Sequence, residues 1–192
     1  IYVGTGSACP RGNVTNGDGV YKSTDGGKTW THIGLEEAGL IGRLPIHPTD
    51  PNLAVVAVLA YIFGPNPERG VYRTKDGGKT WEQVLKIGPK TGAIDVRMDV
   101  KNPDTLIASM WSAERKPWTL DTASMDDGLF RSTDGGTTWQ KLSKGLPQGV
   151  LVGRTSVSIS QADPKRVYAL VEAAGDLGGG YVSQDAGESW SP

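Results

Sequence analysis

Carboxylates are the side chains of this sequence best suited to chemistry. Glycoside hydrolysis uses a pair of them on either side of the bond that is cleaved. Asp95 and Asp99 are four residues apart, so on a strand their side chains face the same side. Asp95 is therefore the one candidate catalytic residue that the sequence offers. The alternative is that Asp95 is solvated or forms an ion pair with Arg43 or Arg97.

The residues that could bind a metal ion are too few, or are wrongly spaced, to form a site. Asp121, Asp126 and Asp127 supply oxygen ligands for a hard cation, but their spacing does not match an ordered calcium loop. The lone Cys9 excludes an internal disulfide and a multi-cysteine metal site. The sequence thus predicts no metal site and no cofactor.

Aromatic residues near cations point to ligand binding instead. They fall in two segments, 61–69 and 111–127, and an aromatic face beside polar groups suits a sugar or a captured peptide. The alternative is that Trp111 and Trp118 pack their own segment onto the fold. The candidate ligand-binding residues are Tyr61, Phe63, Arg69, Trp111, Arg115 and Trp118.

A repeated octet sets the frame for these residues. Its four copies begin at Ser23, Thr74, Ser132 and Ser183, and their aspartates are 51, 58 and 51 residues apart. Each copy places an Asp where it can accept hydrogen bonds from its own turn, and ends in a Trp that can pack on a neighbouring unit. The residues predicted to be structural in this way are Asp25, Trp30, Asp76, Trp81, Asp134, Trp139, Asp185 and Trp190.

Each octet follows a short apolar run, and each of the first three is followed by a short amphipathic run. An Asp-Pro or Asn-Pro turn recurs upstream of the last three copies. One unit is thus four antiparallel strands in about 50 residues, the size of a β-propeller blade. We predict an all-β propeller segment over 1–192, with blade 1 (1–35) and blade 4 (144–192) incomplete and blades 2 (36–87) and 3 (88–143) complete. This count predicts part of a larger propeller, completed by further blades of a longer parent chain. The alternatives are a second copy that joins two four-blade arcs and a compact four-blade ring with imperfect closure.

The meander separates short turns from long connections. The octets and the Asp-Pro turns fall at one end of the strands, and every long segment falls at the other end, here called the loop face. Binding residues tend to lie on variable loops held by a rigid scaffold. We therefore expect ligand recognition on the loop face.

Bulk properties exclude two partner classes. The 20 Lys and Arg residues balance 21 Asp and Glu residues, so the charge gives no footprint for nucleic acid. No apolar run reaches the length that crosses a bilayer. The sequence carries no targeting signal.

The octets resemble the Asp-box or BNR motif, Ser/Thr-x-Asp-x-Gly-x-Thr/Ser-Trp, and the longer pattern around Gly19–Trp30 is similar to bacterial sortilin/VPS10-like repeat proteins labelled BNR-repeat glycosyl hydrolases. The last copy differs from the other three at Ala186, which stands where they have Gly. The resemblance covers the whole chain and implies a propeller, a secreted or periplasmic parent protein, and one of three functions. These are a binding or scaffold module, which we favour, part of a xyloglucanase-like or sialidase-like hydrolase, or a sortilin-like or assembly-factor-like binder of peptides or proteins.

Overall fold

The computed structural model describes residues 1–10 and 13–192, and its strands form four separate antiparallel sheets. The first sheet contains β1 (Tyr2–Gly4), β2 (Val20–Lys22) and β3 (Thr31–His32). The second contains β4 (Ile41–Arg43), β5 (Ala54–Val58), β6 (Gly70–Thr74) and β7 (Glu82–Leu85). The third contains β8 (Thr91–Met98), β9 (Leu106–Lys116), β10 (Thr119–Thr122), β11 (Gly128–Ser132) and β12 (Gln140–Lys141). The fourth contains β13 (Val152–Ile159), β14 (Val167–Ala173) and β15 (Gly179–Ser183).

The predicted all-β fold of four meander sheets is confirmed. Short 3-10 turns at Glu36–Ala38 and Gly175–Leu177 are the helical elements of the described residues.

Each sheet packs face to face on the next. Because side chains alternate across a strand, neighbouring residues of one strand enter different apolar cores. Val56 packs toward the first sheet and Val55 toward the third, while Leu106 and Ile107 lie in the cores on the two sides of the third sheet. This double burial explains why the middle strands are almost continuously apolar.

The two ends of the sheets differ as the meander predicts. The octet turns contact the Asp-Pro and Asn-Pro turns, since Gly77 N–H donates to Asn52 O at 2.9 Å and Gly135 N–H donates to Asp104 O at 3.0 Å. At the other end a fourth apolar cluster, which includes Leu59, Ile62 and Trp111, lies beneath the long connections.

The described residues of the first long connection, 7–10 and 13–18, lie at this end of the molecule. Its Ala8 and Val14 pack on the fourth cluster, and the Cys9 thiol lies 4.0 Å from Arg154 of the fourth sheet. Residues 11 and 12 of this connection lie outside the described residues.

One segment differs from the sequence-based expectation. Residues 111–127 are not a loop throughout, because β9 continues to Lys116 and β10 returns along it. Alternation stabilises this extension: Ala113 and Leu120 join the fourth apolar cluster, while Glu114 and Asp121 lie on the opposite face.

Candidate functional site

The extension of β9 and its return along β10, called the hairpin below (113–122), is the most prominent feature of the loop face. Lys116 pairs with Thr119 across a two-residue turn formed by Pro117 and Trp118. Trp118 is 80% exposed. The hairpin therefore presents a large aromatic side chain at its tip.

The base of the hairpin is fixed by a buried carboxylate. Asp127 accepts a hydrogen bond from the Ser112 backbone N–H at 2.8 Å and another from the Ser112 hydroxyl at 2.6 Å. Burial raises the pKa of Asp127 to about 6, although the Ser112 hydrogen bonds oppose this shift. Asp127 thus joins the end of the β10–β11 connection to the start of the hairpin.

Arg69 fixes the second connection, 61–69, against the hairpin. Its guanidinium is fully buried and donates hydrogen bonds to the carbonyl oxygens of Tyr61 (3.1 Å), Gly64 (3.2 Å), Ala113 (2.8 Å) and Lys90. Burial lowers the pKa of Arg69 to about 10, so the group stays charged at neutral pH. Its position inside the protein gives it a structural role and leaves no surface for a ligand.

The structure separates the candidate ligand-binding residues by exposure. Phe63 and Trp118 are exposed, and Tyr61 and Arg115 are partly buried. Trp111 is buried within β9 and packs in the fourth apolar cluster, with the Arg154 guanidinium 5.7 Å from its ring centre. The packing alternative therefore describes Trp111, while Trp118 is free to contact a ligand.

The tip and the second connection are also joined by backbone. Arg115 N–H donates to Ile62 O at 2.7 Å, which brings the exposed Phe63 close to the hairpin. The second connection and the hairpin thus lie side by side on the loop face.

A groove runs along the charged face of the hairpin and is called the hairpin groove below. It is about 680 Å³ in volume and is lined by the residues of 88–91, 112–116 and 121–126 that face it, together with Leu151. Lys90 Nζ lies 3.7 Å from Glu114 Oε2, and Lys116 contacts Asp121. Polar and apolar residues alternate on both sides of Pro117-Trp118, which indicates the two strands of the hairpin that form this groove. The length of the segment suggested a loop instead.

Asp95 lies elsewhere, on β8, between two arginines. Arg43 Nε is 2.8 Å from Asp95 Oδ1, and Arg97 Nη2 is 3.2 Å from Asp95 Oδ2. The ion-pair alternative considered from the sequence is therefore present with both partners. Asp99 accepts a hydrogen bond from the Lys101 N–H at 2.8 Å.

The described residues contain no cluster of three or more His, Cys, Asp or Glu arranged to hold a metal ion.

The octet aspartates form closed turns. Asp134 accepts from the Thr137 and Thr138 N–H groups at 2.9 and 2.8 Å and from the Thr138 hydroxyl at 2.6 Å. Hydrogen bonds from the residue four positions later hold the pKa of each octet Asp well below its ordinary value, at about 2 for Asp76. Trp81 Nε1–H donates to Ile33 O of the first sheet at 2.7 Å, so this octet also ties two sheets together.

With this geometry established, comparison with known proteins gives the family. The model of the Sortilin-Vps10 family, described as sortilin, neurotensin receptor 3, matches residues 18–148, which is more than half of the chain. The chain belongs to the Sortilin-Vps10 family. The BNR/Asp-box repeat model matches residues 181–192, which include the fourth octet. The resemblance stated from the octets is confirmed.

Curated relatives of this Sortilin-Vps10 family chain carry two kinds of name. A xyloglucanase of Hypocrea jecorina is 30% identical over 150 residues, which cover 74% of this chain and 16% of the relative. A xyloglucanase of Paenibacillus is 28% identical over 152 residues, which cover 74% of this chain and 13% of the relative. A vacuolar protein sorting/targeting protein 10 of Colletotrichum graminicola is 28% identical over 52% of this chain and 6% of the relative. The chain therefore matches less than a fifth of the length of each of these relatives.

Solved structures confirm the propeller fold. A GH74 enzyme of Niastella koreensis superimposes with a TM-score of 0.65 at 18% identity, over 99% of this chain and 27% of that one. The GH74 xyloglucanase of Xanthomonas campestris gives a TM-score of 0.64 at 18% identity, over 91% of this chain and 27% of that one. No helix of the described residues is long and apolar enough to cross a membrane.

Proposed function

We propose that this chain is a four-blade propeller segment that acts as a binding module and recognises a carbohydrate or protein ligand on its loop face. The observation that carries the proposal is the hairpin: its base is fixed by Asp127 and Arg69, and its tip exposes Trp118. An aromatic side chain on a rigid support gives contact area at little entropic cost. The Sortilin-Vps10 match supports a binding role.

We propose the blade intervals 1–35, 36–87, 88–143 and 144–192, and further blades, or a second copy, next to the outer sheets. The outward face of the fourth sheet supports a further blade or a second copy, because Tyr168 and Leu170 are exposed there. The residues at the matching positions of the third sheet, Ile107 and Ser109, are fully buried against the fourth sheet. The similarity to xyloglucanases, whose name denotes a polysaccharide substrate, supports a secreted or periplasmic parent protein.

A binding experiment tests the main proposal. The chain is applied to a glycan array and to a display library of short linear peptides, and affinities for the selected ligands are measured for the parent chain and for Trp118→Ala. We expect Trp118→Ala to weaken binding by at least about tenfold. Tyr168→Ala serves as the control, since Tyr168 is an exposed aromatic residue on a different face. Equal affinities for all three proteins would refute the proposal.

A hydrolase is the second candidate because Glu114 lies directly opposite Asp121 across the hairpin. Cross-strand partners have Cβ atoms about 5 Å apart, which is compatible with the carboxyl spacing of a retaining glycosidase. Both carboxylates contact lysines, however, whereas the acid catalyst of a glycosidase must carry a proton. Release of reducing ends from xyloglucan, abolished in Glu114→Gln and Asp121→Asn, would establish this candidate in place of the binding module. The same assay with Asp95→Asn tests Asp95 as a catalytic residue.

A further inference from the structure

The hairpin groove has an aliphatic floor held in place by fixed backbone. Met125 and Leu151 are 54% and 51% exposed. Ser124 and Val152, their chain neighbours, exchange two backbone hydrogen bonds of 3.0 and 3.2 Å, and Lys141 Nζ donates to Met125 O at 2.7 Å. The backbone at Met125 is therefore held beside the backbone at Leu151, and both residues line the groove. Such exposed apolar contacts on a fixed frame are typical of interaction sites.

The walls of the groove carry both signs of charge. Lys90 pairs with Glu114 and Lys116 pairs with Asp121, whereas Asp126 forms no ion pair with another described residue. Two cations thus face three carboxylates, an excess of one negative charge. A ligand in the groove gains most from one additional cation near Asp126, which adjoins Met125 in the chain.

The side chains of Met125 and Leu151 on the groove floor indicate the class of ligand. Sugars stack on aromatic faces, but the floor side chains are a thioether and an isobutyl group, which accommodate aliphatic side chains of varied shape. Paired charges along both walls suit a chain that alternates apolar and charged groups. We propose that the hairpin groove binds an extended peptide segment that places an aliphatic side chain on Met125 and Leu151 and a basic side chain beside Asp126. This inference rests on the proposed binding function and names its ligand and its subsite.

The test uses peptides selected on this chain from a display library of short linear sequences, with affinities measured by fluorescence anisotropy. Leu151→Asp places a charge on the groove floor. Val100→Asp is the matched control, because Val100 is 48% exposed and lies on the opposite end of the sheets, beyond β8. Thermal unfolding of both variants shows that each is folded.

We expect the selected peptides to share an aliphatic residue next to Lys or Arg. Leu151→Asp should weaken their binding by at least about tenfold, and Val100→Asp should change it by less than about twofold. Asp126→Lys should also weaken binding, and replacing the basic residue of the peptide by Glu should restore it.

The inference is overturned if no peptide is enriched, or if Leu151→Asp and Val100→Asp bind the selected peptides equally. Two failures remain distinguishable. If Trp118→Ala reduces binding of a peptide or a glycan while Leu151→Asp does not, the loop face binds ligands but the groove is not the subsite. If neither variant reduces binding, the proposed function fails as well.

Discussion

Asp127 holds Ser112 through two hydrogen bonds, one to its backbone N–H at 2.8 Å and one to its hydroxyl at 2.6 Å. The carboxyl group is 1% exposed, and its burial makes protonation easier in the folded protein than in the unfolded chain. The base of the hairpin is therefore sensitive to pH in a range where exposed carboxylates do not titrate.

The first prediction concerns the pH dependence of stability. Because the pKa of Asp127 is about 6 in the folded state and about 3.9 when unfolded, its protonation favours folding at low pH, and this contribution is lost as pH rises through 6. Relative to Asp127→Asn, which keeps the shape and cannot ionise, the parent chain should lose about 1–3 kcal/mol of unfolding free energy between about pH 4 and pH 7. Urea unfolding at both pH values measures the difference. Asp126→Asn, at the exposed neighbouring position, is the control, and a constant gap between parent and Asp127→Asn would contradict the prediction.

The second prediction concerns the octets at acid pH. Hydrogen bonds from Thr80 lower the pKa of Asp76 to about 2, so the stabilisation that this carboxylate provides is present above its unfolded value and is lost as pH falls toward 2. Thr80→Val removes the hydroxyl bond of 2.7 Å. The midpoint of acid unfolding, followed by circular dichroism, should then move to higher pH. An unchanged midpoint would show that the octets do not control acid stability.

The third prediction concerns the fourth octet, which has Ala186 where the other three have Gly. Ala186 adopts φ 59°, in the left-handed region, where the other three octets have Gly. This conformation costs a non-glycine residue about 1 kcal/mol or more, partly offset by the lower entropy of Ala in the unfolded chain. Ala186→Gly should therefore raise the unfolding free energy by up to about 1 kcal/mol. Gly26→Ala makes the reverse change at φ 77° with no atom near the added methyl group, and it should lower stability by a similar amount. The argument is refuted if, in chemical denaturation, Ala186→Gly lowers the unfolding free energy or Gly26→Ala raises it.

The fourth prediction concerns Arg69. Arg69→Leu leaves the buried carbonyl oxygen of Ala113 and the partly buried carbonyl oxygens of Tyr61 and Gly64 without their donor, which should cost about 3 kcal/mol or more of unfolding free energy. Arg69→Lys keeps the charge but not the planar fork of donors, so its cost should be smaller but still measurable. Arg166→Leu on the surface is the control. A loss as small as that of the control would mean that Arg69 does not hold the second connection in place.

The octets show why much of this fold could be predicted. Their turn hydrogen bonds join residues within a few positions of one another, as in Asp25 and Thr29, so residue type and spacing are sufficient to identify them. The same holds for strands with alternating or continuous apolar residues. The hairpin was missed because its extension depends on contacts with the fourth apolar cluster. That cluster combines the third sheet with residues that flank strands of the second sheet and with residues of two long connections.

The same distinction between local and long-range contacts applies to the candidate residues of the loop face. The sequence by itself determined the repeat, the four sheets and the local turns of the octets, and it predicts the end of the sheets on which ligands bind. Only the tertiary structure decided that Arg69 and Trp111 lie inside while Phe63 and Trp118 reach the surface, and that Met125 and Leu151 line the same groove. The physical reason is range: turn chemistry is local, whereas the burial of a side chain is set by neighbours that are distant in the sequence.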